Sequence, residues 1–550
     1  MEKKKSLCFL LLLLGIAMVL VLKSFVGFGW DDEGYYLAVV HRFWAGDIPV
    51  FDDWYPTQWS AILLLPIYWL YRTVMETGEG IVLFFRLFYL GIRFGISVFA
   101  FFVLRRYSGA NLPAFFAAAF LLISSIENKA IYSYSDLAVS FLSLALLLLL
   151  WGKEHTKKKK YLLSFGAGIC LVFTCFANPY AIALWLYFAF YYIFLWKQKK
   201  DKSYLISLGV LTMGCCIPGV FFLGSLLMHA SIEDFWEALG YLLHFPGHAA
   251  QNPLLAMIKW GWYAIKPYGP ALLLLFGGAI LTLRKGLSKS IFYVELLCVV
   301  LYAIIQYFFM ADKNLIGISY IPLSVLGMFC FWQTKEKDWE IFGGYYFPGI
   351  LLSIAFQVAS DTGIFAMMTG FTISAMASVV LIVRLLQERQ EMCSMRNLCV
   401  FLGMVLLYTG SVRVLYCRYN TYEAAYDSWI ENGPYKGILT DSKQKEFYEA
   451  SLTELALLEE WTEDDDSILI LGNNMWMYLC VDRRIGAPTV WRMEAEHVYY
   501  APYFAMHPDK LPVVIYVNEL CEVQYGDSIL LDGVVYEVKY SGNGKVYDRK

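Results

Sequence analysis

Apolar stretches of membrane-spanning length recur along this chain almost to residue 415, and nothing else limits its fold as strongly. A helix needs roughly 17 to 25 apolar residues to cross the hydrocarbon core of a bilayer. Such stretches fall near 7–26, 81–104, 110–126, 136–151, 161–177, 180–196, 204–228, 269–283, 290–310, 315–332, 341–358, 363–384 and 397–415, about thirteen in all. Inside lipid each backbone N–H and C=O must be bonded within its own segment, so these stretches are expected to be helices. With 59% hydrophobic and 17% charged residues over 550 positions, the chain is too apolar for a soluble protein. Residues 1–415 are therefore read as an all-α polytopic membrane domain. A net charge of -3 offers no basis for nucleic-acid binding.

The Lys/Arg bias of short loops sets the orientation. If Lys3-Lys4-Lys5 is cytoplasmic, alternate loops carry Arg105-Arg106, Lys153 with Lys157 to Lys160, Lys197 to Lys202, Arg284 with Lys285 and Lys289, Lys335 with Lys337, and Arg384 to Arg396. The opposite loops hold only scattered Arg42, Arg72, Lys129, Lys259, Lys266 and Lys313. An odd number of spans then puts the residues after 415 outside the cell membrane. The first apolar run has no small-residue cleavage site after it and reads as an uncleaved anchor.

Two outer loops are long enough to fold. The first, 27–80, is rich in Trp and Tyr, as suits segments at the bilayer interface. Its segment 33–45 spaces Leu37, Val40 and Trp44 on one helical face, with Gly46 as a stop. The second, 229–268, holds His229, His244, His248, Lys259 and Lys266. Residues 416–550 change character: Asp441 to Trp461 reads as a polar helix, 467–472 and 512–517 as buried strands, and Asp532-Gly533 as a hairpin turn. A small extracytoplasmic α/β domain is expected. Cys480 and Cys521 are external, so an oxidised pair is one outcome there.

Carboxylates at a bilayer edge lose solvation and must find partners, which singles out Asp31-Asp32-Glu33 just after the first span. Asp31 or Asp32 would cap the helix that follows, or Asp32 and Glu33, pointing about 100° apart, would divide roles between a cavity and an Arg or a backbone amide. Arg86 enters the second span and Arg93 lies seven residues on, on the same face; with Glu295 they are the charges noted within spans. Arg86 would pair with Glu33 or with a ligand phosphate, or serve structure alone. Asp136 opens the fourth span, as a helix cap or as a functional carboxylate. Lys266 and Lys259 are further phosphate candidates or snorkelling residues. His244-x-x-x-His248 has zinc spacing, but Pro246 and Gly247 break the helix it needs. Asp52-Asp53, beside Trp54-Tyr55, would line a sugar pocket or, more simply, form a solvated turn. Asp312 and Asp361 are outer-loop carboxylates without further signal.

Asp32-Glu33-Gly34-Tyr35-Tyr36 after the first span, Gly46-Asp47-Ile48-Pro49, and Arg86 resemble the opening of the C-type (GT-C) membrane glycosyltransferases, most closely the branch of protein O-mannosyltransferases and the aminoarabinose (lipid A) transferase. Tyr134-Ser135-Asp136 and the run from Gly166 to Asn178-Pro179 are similar to later family segments, though Cys175-Phe176-Ala177 stands where that family usually has a basic residue. The resemblance covers residues 1 to 200, and beyond them only architecture. It implies a GT-C-like fold, an external catalytic face, a polyprenyl-phosphate sugar donor, an inverting reaction, and an envelope lipid, glycan or protein as acceptor.

That chemistry needs a carboxylate to take the acceptor proton and positive charge for the leaving phosphate. The expected assignment makes Asp32 and Glu33 catalytic and puts Arg86, Asp136, Lys266, Tyr35 and Tyr55 at the substrate, with Asp32 and Asp136 sharing a divalent cation where one is needed. The rival readings are a lipid or polysaccharide transporter or flippase, which usually carries midplane charges and internal repeats, and a non-catalytic envelope-assembly protein.

Overall fold

The computed structural model describes residues 2–550 apart from 30–31, 127–129, 154, 246–254, 256–257, 260–261, 263–265, 311–314, 360–363, 417–425 and 520. The chain opens with α1 (Glu2–Ser24), α2 (Asp32–Trp44), α3 (Trp59–Met75), α4 (Ile81–Ser108), α5 (Asn111–Ile123), α6 (Tyr134–Gly152), α7 (Lys157–Ala177), α8 (Ile182–Lys199), α9 (Ser203–Leu227) and α10 (Ile232–Leu243). Helices Gly269–Lys285, Lys289–Phe309, Tyr320–Gln333, Phe347–Ala359, Ile364–Glu388 and Met395–Leu415 complete the helical part.

Ten described helices are long and apolar enough to cross a membrane, against about thirteen expected. Apolar helices at the other three expected positions, Asn111–Ile123, Leu273–Thr282 and Tyr320–Gln333, are shorter. Burial accounts for the short α5: every residue from Pro113 to Ile123 is buried, so packing against neighbouring helices replaces a match to bilayer thickness.

The first loop folds as two helices. The expected helix 33–45 is α2, Asp32–Trp44, ended by Gly46 at φ +110°. Its Leu37 and Val40 lie on a fully buried side, but so do the residues around them, because α2 is covered on all sides from Glu33 to Phe43. By contrast α3 buries Leu64, Tyr68 and Tyr71 while Trp69, Leu70 and Val74 stay exposed, an arrangement suited to lying along a bilayer interface.

After Leu415 the chain forms a small domain around a six-stranded sheet. A short antiparallel pair, β1 (Ser428–Trp429) and β2 (Leu439–Thr440), precedes helix Ser442–Glu460, whose N-terminus is capped by the Asp441 side chain accepting from the Gln444 N–H at 3.0 Å. The sheet contains β3 (Ser467–Leu471), β4 (Arg484–Ile485), β5 (Val514–Val517), β6 (Ser528–Leu531), β7 (Val534–Ser541) and β8 (Lys545–Arg549), in the order β4-β3-β5-β8-β7-β6. β3 runs parallel to β4 and β5 and is buried at every position, the continuous apolar run a sheet covered on both faces requires. Asp532 and Gly533, at φ +46° and +78°, make the turn between β6 and β7 where the sequence pattern put it. Cys480 and Cys521 are both free thiols, so the oxidised pair is not present.

The two parts share backbone. The Leu439 N–H donates to the Phe25 carbonyl at 2.7 Å and the Tyr435 hydroxyl to the Gly29 carbonyl at 2.7 Å, tying the segment after α1 to the C-terminal domain.

Candidate active site

Arg86 organises the start of α2. Its Nε and Nη2 donate to the two Glu33 carboxylate oxygens at 2.6 Å each, and its Nη1 and Nη2 to the Ser24 and Gly27 carbonyls at 2.9 and 2.7 Å. A guanidinium fork that meets a carboxylate side-on fixes direction as well as distance. Glu33 is 0% and Arg86 1% exposed, so the pair is desolvated and every bond in it matters. Of the partners expected for Arg86, Glu33 is the one it meets. Asp32 stands beside the pair in the first turn of α2 and is half-buried.

The next residue explains how α2 is covered. At Gly34 a methyl group would come within 2.6 Å of the Trp476 Cβ and 2.8 Å of its Cα, so only glycine lets the C-terminal domain approach this closely. Tyr35 is buried and shares a hydrogen bond of 2.9 Å with the Thr57 hydroxyl. Tyr55 lies parallel to Trp491 at 5.5 Å, and Trp491 stands edge-on to Tyr35 at 5.0 Å, an aromatic wall assembled from both domains.

Seven residues past Arg86, Arg93 repeats the device. It donates to the Ser140 hydroxyl at 2.7 Å and the Ser124 carbonyl at 2.9 Å, with Asp136 Oδ1 3.6 Å away. Ser133 is the cap of α6, accepting from the Asp136 N–H at 3.0 Å and donating back to Asp136 Oδ2 at 2.9 Å. Asp136 therefore sits in the first turn rather than at the cap itself. Its Oδ2 also accepts from Ser125 and the Ile126 N–H at 3.4 Å each. Among the described residues no three His, Cys, Asp or Glu side chains gather to hold a metal ion. Three donors take Asp136 Oδ2, while Oδ1, with Arg93 3.6 Å away, accepts no hydrogen bond among the described residues; no step below runs through a metal.

The other residues singled out from the sequence have varied surroundings. Lys266 and Lys259 are exposed. His244 is exposed, its Nδ1 2.8 Å from the Gly240 carbonyl, while His248, Asp31, Asp312 and Asp361 lie outside the described residues. Glu295 is buried with neither carboxylate oxygen bonded among the described residues. Asp52 and Asp53 do not form a solvated turn: they are 5% and 0% exposed. Arg42 reaches Asp47 at 2.5 Å and Asp53 at 3.5 Å, and Lys510 of the C-terminal domain reaches Asp47 at 2.7 Å and Asp52 at 2.6 Å. Burial pushes Asp53 up to about 6 against the pull of Arg42. Burial acts on Asp52 in the same direction, but Lys510 overcomes it and holds that carboxyl below its usual range. This cluster clamps the first loop under the C-terminal domain.

Two cations absent from the sequence-based assignment converge near the anchored pair. Lys23 and Arg413, at the ends of α1 and helix Met395–Leu415, line a narrow crevice of about 20 Å³ with Ser24, Val26 and Tyr89. Arg413 is 6% exposed and acts electrostatically on both Tyr89 and Asp136. The crevice and the Glu33–Arg86 pair share the segment 24–27 and one face of α4. A sequence signal existed: both cations end otherwise apolar runs, where an ionisable group needs a reason to be.

No protein-family profile matches the chain, and no curated protein matches it in sequence. Among solved structures it is similar to ArnT from Cupriavidus metallidurans in the apo state, with 11% identity over 98% of this chain and 97% of that one at a TM-score of 0.45. The same protein bound to undecaprenyl phosphate gives 10% identity over 98% and 97% at 0.42. The archaeal oligosaccharyltransferase AglB from Archaeoglobus fulgidus, in complex with an inhibitory peptide and a dolichol-phosphate, gives 9% identity over 94% of this chain and 70% of that one at 0.43.

Proposed function

We propose that this chain is a membrane glycosyltransferase that moves a sugar from a polyprenyl-phosphate donor to an envelope lipid, glycan or protein, on the outer face where α2 and the C-terminal domain lie. The observation that carries the reading is the Glu33–Arg86 fork, which fixes the start of α2 and holds Asp32 in one place at the edge of the spans.

Asp32 is the general base. The acceptor hydroxyl oxygen forms a bond to the anomeric carbon as the bond from that carbon to the phosphate oxygen breaks, the hydroxyl proton passes to Asp32, and the lipid phosphate leaves with the electron pair; a single displacement inverts the anomeric carbon. Glu33 has both oxygens committed to Arg86 and acts as a positioning residue. Arg86, saturated by the same pair and by backbone carbonyls, positions likewise. Positive charge for the leaving phosphate comes from Lys23 and Arg413, whose crevice opens beside segment 24–27. Trp491, half-buried and backed by the buried Tyr55, offers an aromatic surface to a sugar or acceptor, and the prenyl chain lies against the spans.

A deletion strain complemented with wild type or Asp32→Asn, followed by mass spectrometry of envelope glycans and lipids, tests this. Wild type restores a sugar lost on deletion, and Asp32→Asn, present at wild-type level, falls short by roughly 10²- to 10⁴-fold in transfer rate. Unchanged glycans and lipids in the deletion strain, grown where the protein is expressed, would overturn the proposal, and so would full complementation by Asp32→Asn.

A further inference from the structure

At the opposite end of the spans, α4 runs past its apolar section to Arg105 and Arg106, and Gly109 at φ +69° turns the chain directly into α5. This corner and the end of α6 border an open crevice of about 660 Å³, lined by Phe99, Phe102, Val103, Arg105, Arg106 and Trp151 together with the corner residues Gly109 and Asn111. No carboxylate lines it among the described residues.

The crevice is two-sided in chemistry. Its lower wall is apolar: Phe102 is 46% exposed, and Phe99 stands edge-on to Trp151 at 5.1 Å. Its upper rim is basic. Arg105 and Arg106 close one side, Lys159 holds its ammonium 5.1 Å from the centre of the Trp151 ring on the other, and Ser6 donates to Asn111 Oδ1 at 2.9 Å, which brings the exposed Lys4 and Lys5 to the same rim. Trp is favoured where an apolar body meets a wet edge, and a guanidinium fork matches a phosphate's two oxygens.

We propose that this crevice binds the phosphodiester headgroup of an anionic phospholipid from the adjoining leaflet, with Arg105 and Arg106 on the phosphate, Lys159 and the N-terminal lysines adding field, and an acyl chain against Phe99 and Phe102. Basic pockets between spans take such headgroups, each nearby cation contributing to attraction. A free phosphate would use the arginines but not the apolar wall. The proposal is independent of the transferase reading.

Native mass spectrometry of the purified full chain, titrated in parallel with dioleoyl phosphatidylglycerol, dioleoyl phosphatidylcholine and glycerol phosphate, tests it. Wild type retains phosphatidylglycerol in preference to phosphatidylcholine and does not retain glycerol phosphate. Arg105→Gln/Arg106→Gln loses roughly tenfold to thirtyfold of the phosphatidylglycerol affinity, the effect of two interfacial cations, and weakens phosphatidylcholine, whose choline offsets the phosphate charge, by less, so the preference shrinks. Equal retention of both lipids by wild type, an undiminished preference in the double variant, or displacement of the lipid by equimolar glycerol phosphate would each overturn it. Should the double variant not fold, the wild-type comparison and Arg105→Gln alone decide, the single variant losing a few-fold.

Discussion

The costs of removing the two partners of the Glu33–Arg86 pair should not add. In Glu33→Gln the guanidinium keeps the Ser24 and Gly27 carbonyls but loses the carboxylate it holds in a fork, at 1% exposure. Breaking a buried pair from one side costs about 3–5 kcal/mol, and the amide oxygen still accepts one bond, so the expected loss is about 3 kcal/mol. Arg86→Met strands a carboxylate at 0% exposure and should cost about 4 kcal/mol on the same grounds. The double variant buries no lone charge, and its cost should fall short of the sum by at least about 2 kcal/mol. Arg86→Lys keeps the charge but cannot reach both oxygens in a fork, so it should not restore wild-type stability. Equilibrium unfolding in mixed micelles with increasing sodium dodecyl sulfate, followed by tryptophan emission, gives the four free energies. Single-variant costs that add to within about 0.5 kcal/mol would refute the claim that this pair holds α2.

Two further outcomes follow from the same region. Gly34→Ala would ordinarily firm a helix by about 1 kcal/mol, but the new methyl meets Trp476, so we expect a loss of about 1–3 kcal/mol and faster proteolytic release of the C-terminal domain; wild-type stability and protection would contradict the close contact. Burial holds His41 down at about 4 despite Asp482, whereas the unfolded group titrates near 6.5. The unfolded chain then binds the extra proton, so His41 contributes stability that is present above pH 6.5 and is lost as pH falls toward 4. Asp53, raised to about 6, works in the opposite sense, which makes the variant the informative comparison. His41→Gln should flatten the fall in melting temperature between pH 7 and 4.5, and an unchanged slope would count against the assignment.

The helices were legible because lipid leaves the backbone one solution, and an apolar run announces it residue by residue. The helix after the acidic cluster, the polar helix Ser442–Glu460 and the Asp532-Gly533 turn were legible for similar local reasons. Arg86 meeting Glu33 was within reach too, since two opposite charges at one membrane edge have few other partners. What the pattern hid was long-range. Asp52 reads as part of a solvated turn because Lys510, 458 positions later, carries no local signature of its target. Trp476 covering Gly34 is equally silent, and Arg413 joins Lys23 only because the last span folds back beside the first.

The clamp on the first loop also imposes an order on biogenesis. Asp47 is made 463 positions before Lys510, its partner in the C-terminal domain. At roughly 5–20 residues per second the ribosome needs about 20–90 s to cover that distance. Throughout that interval Asp47 and Asp52 lack the Lys510 ammonium that neutralises them, and the face of α2 at Gly34 waits for Trp476. A nascent chain of this protein thus finishes its membrane part with this corner open, and only synthesis of the domain that carries Trp476 and Lys510 closes it.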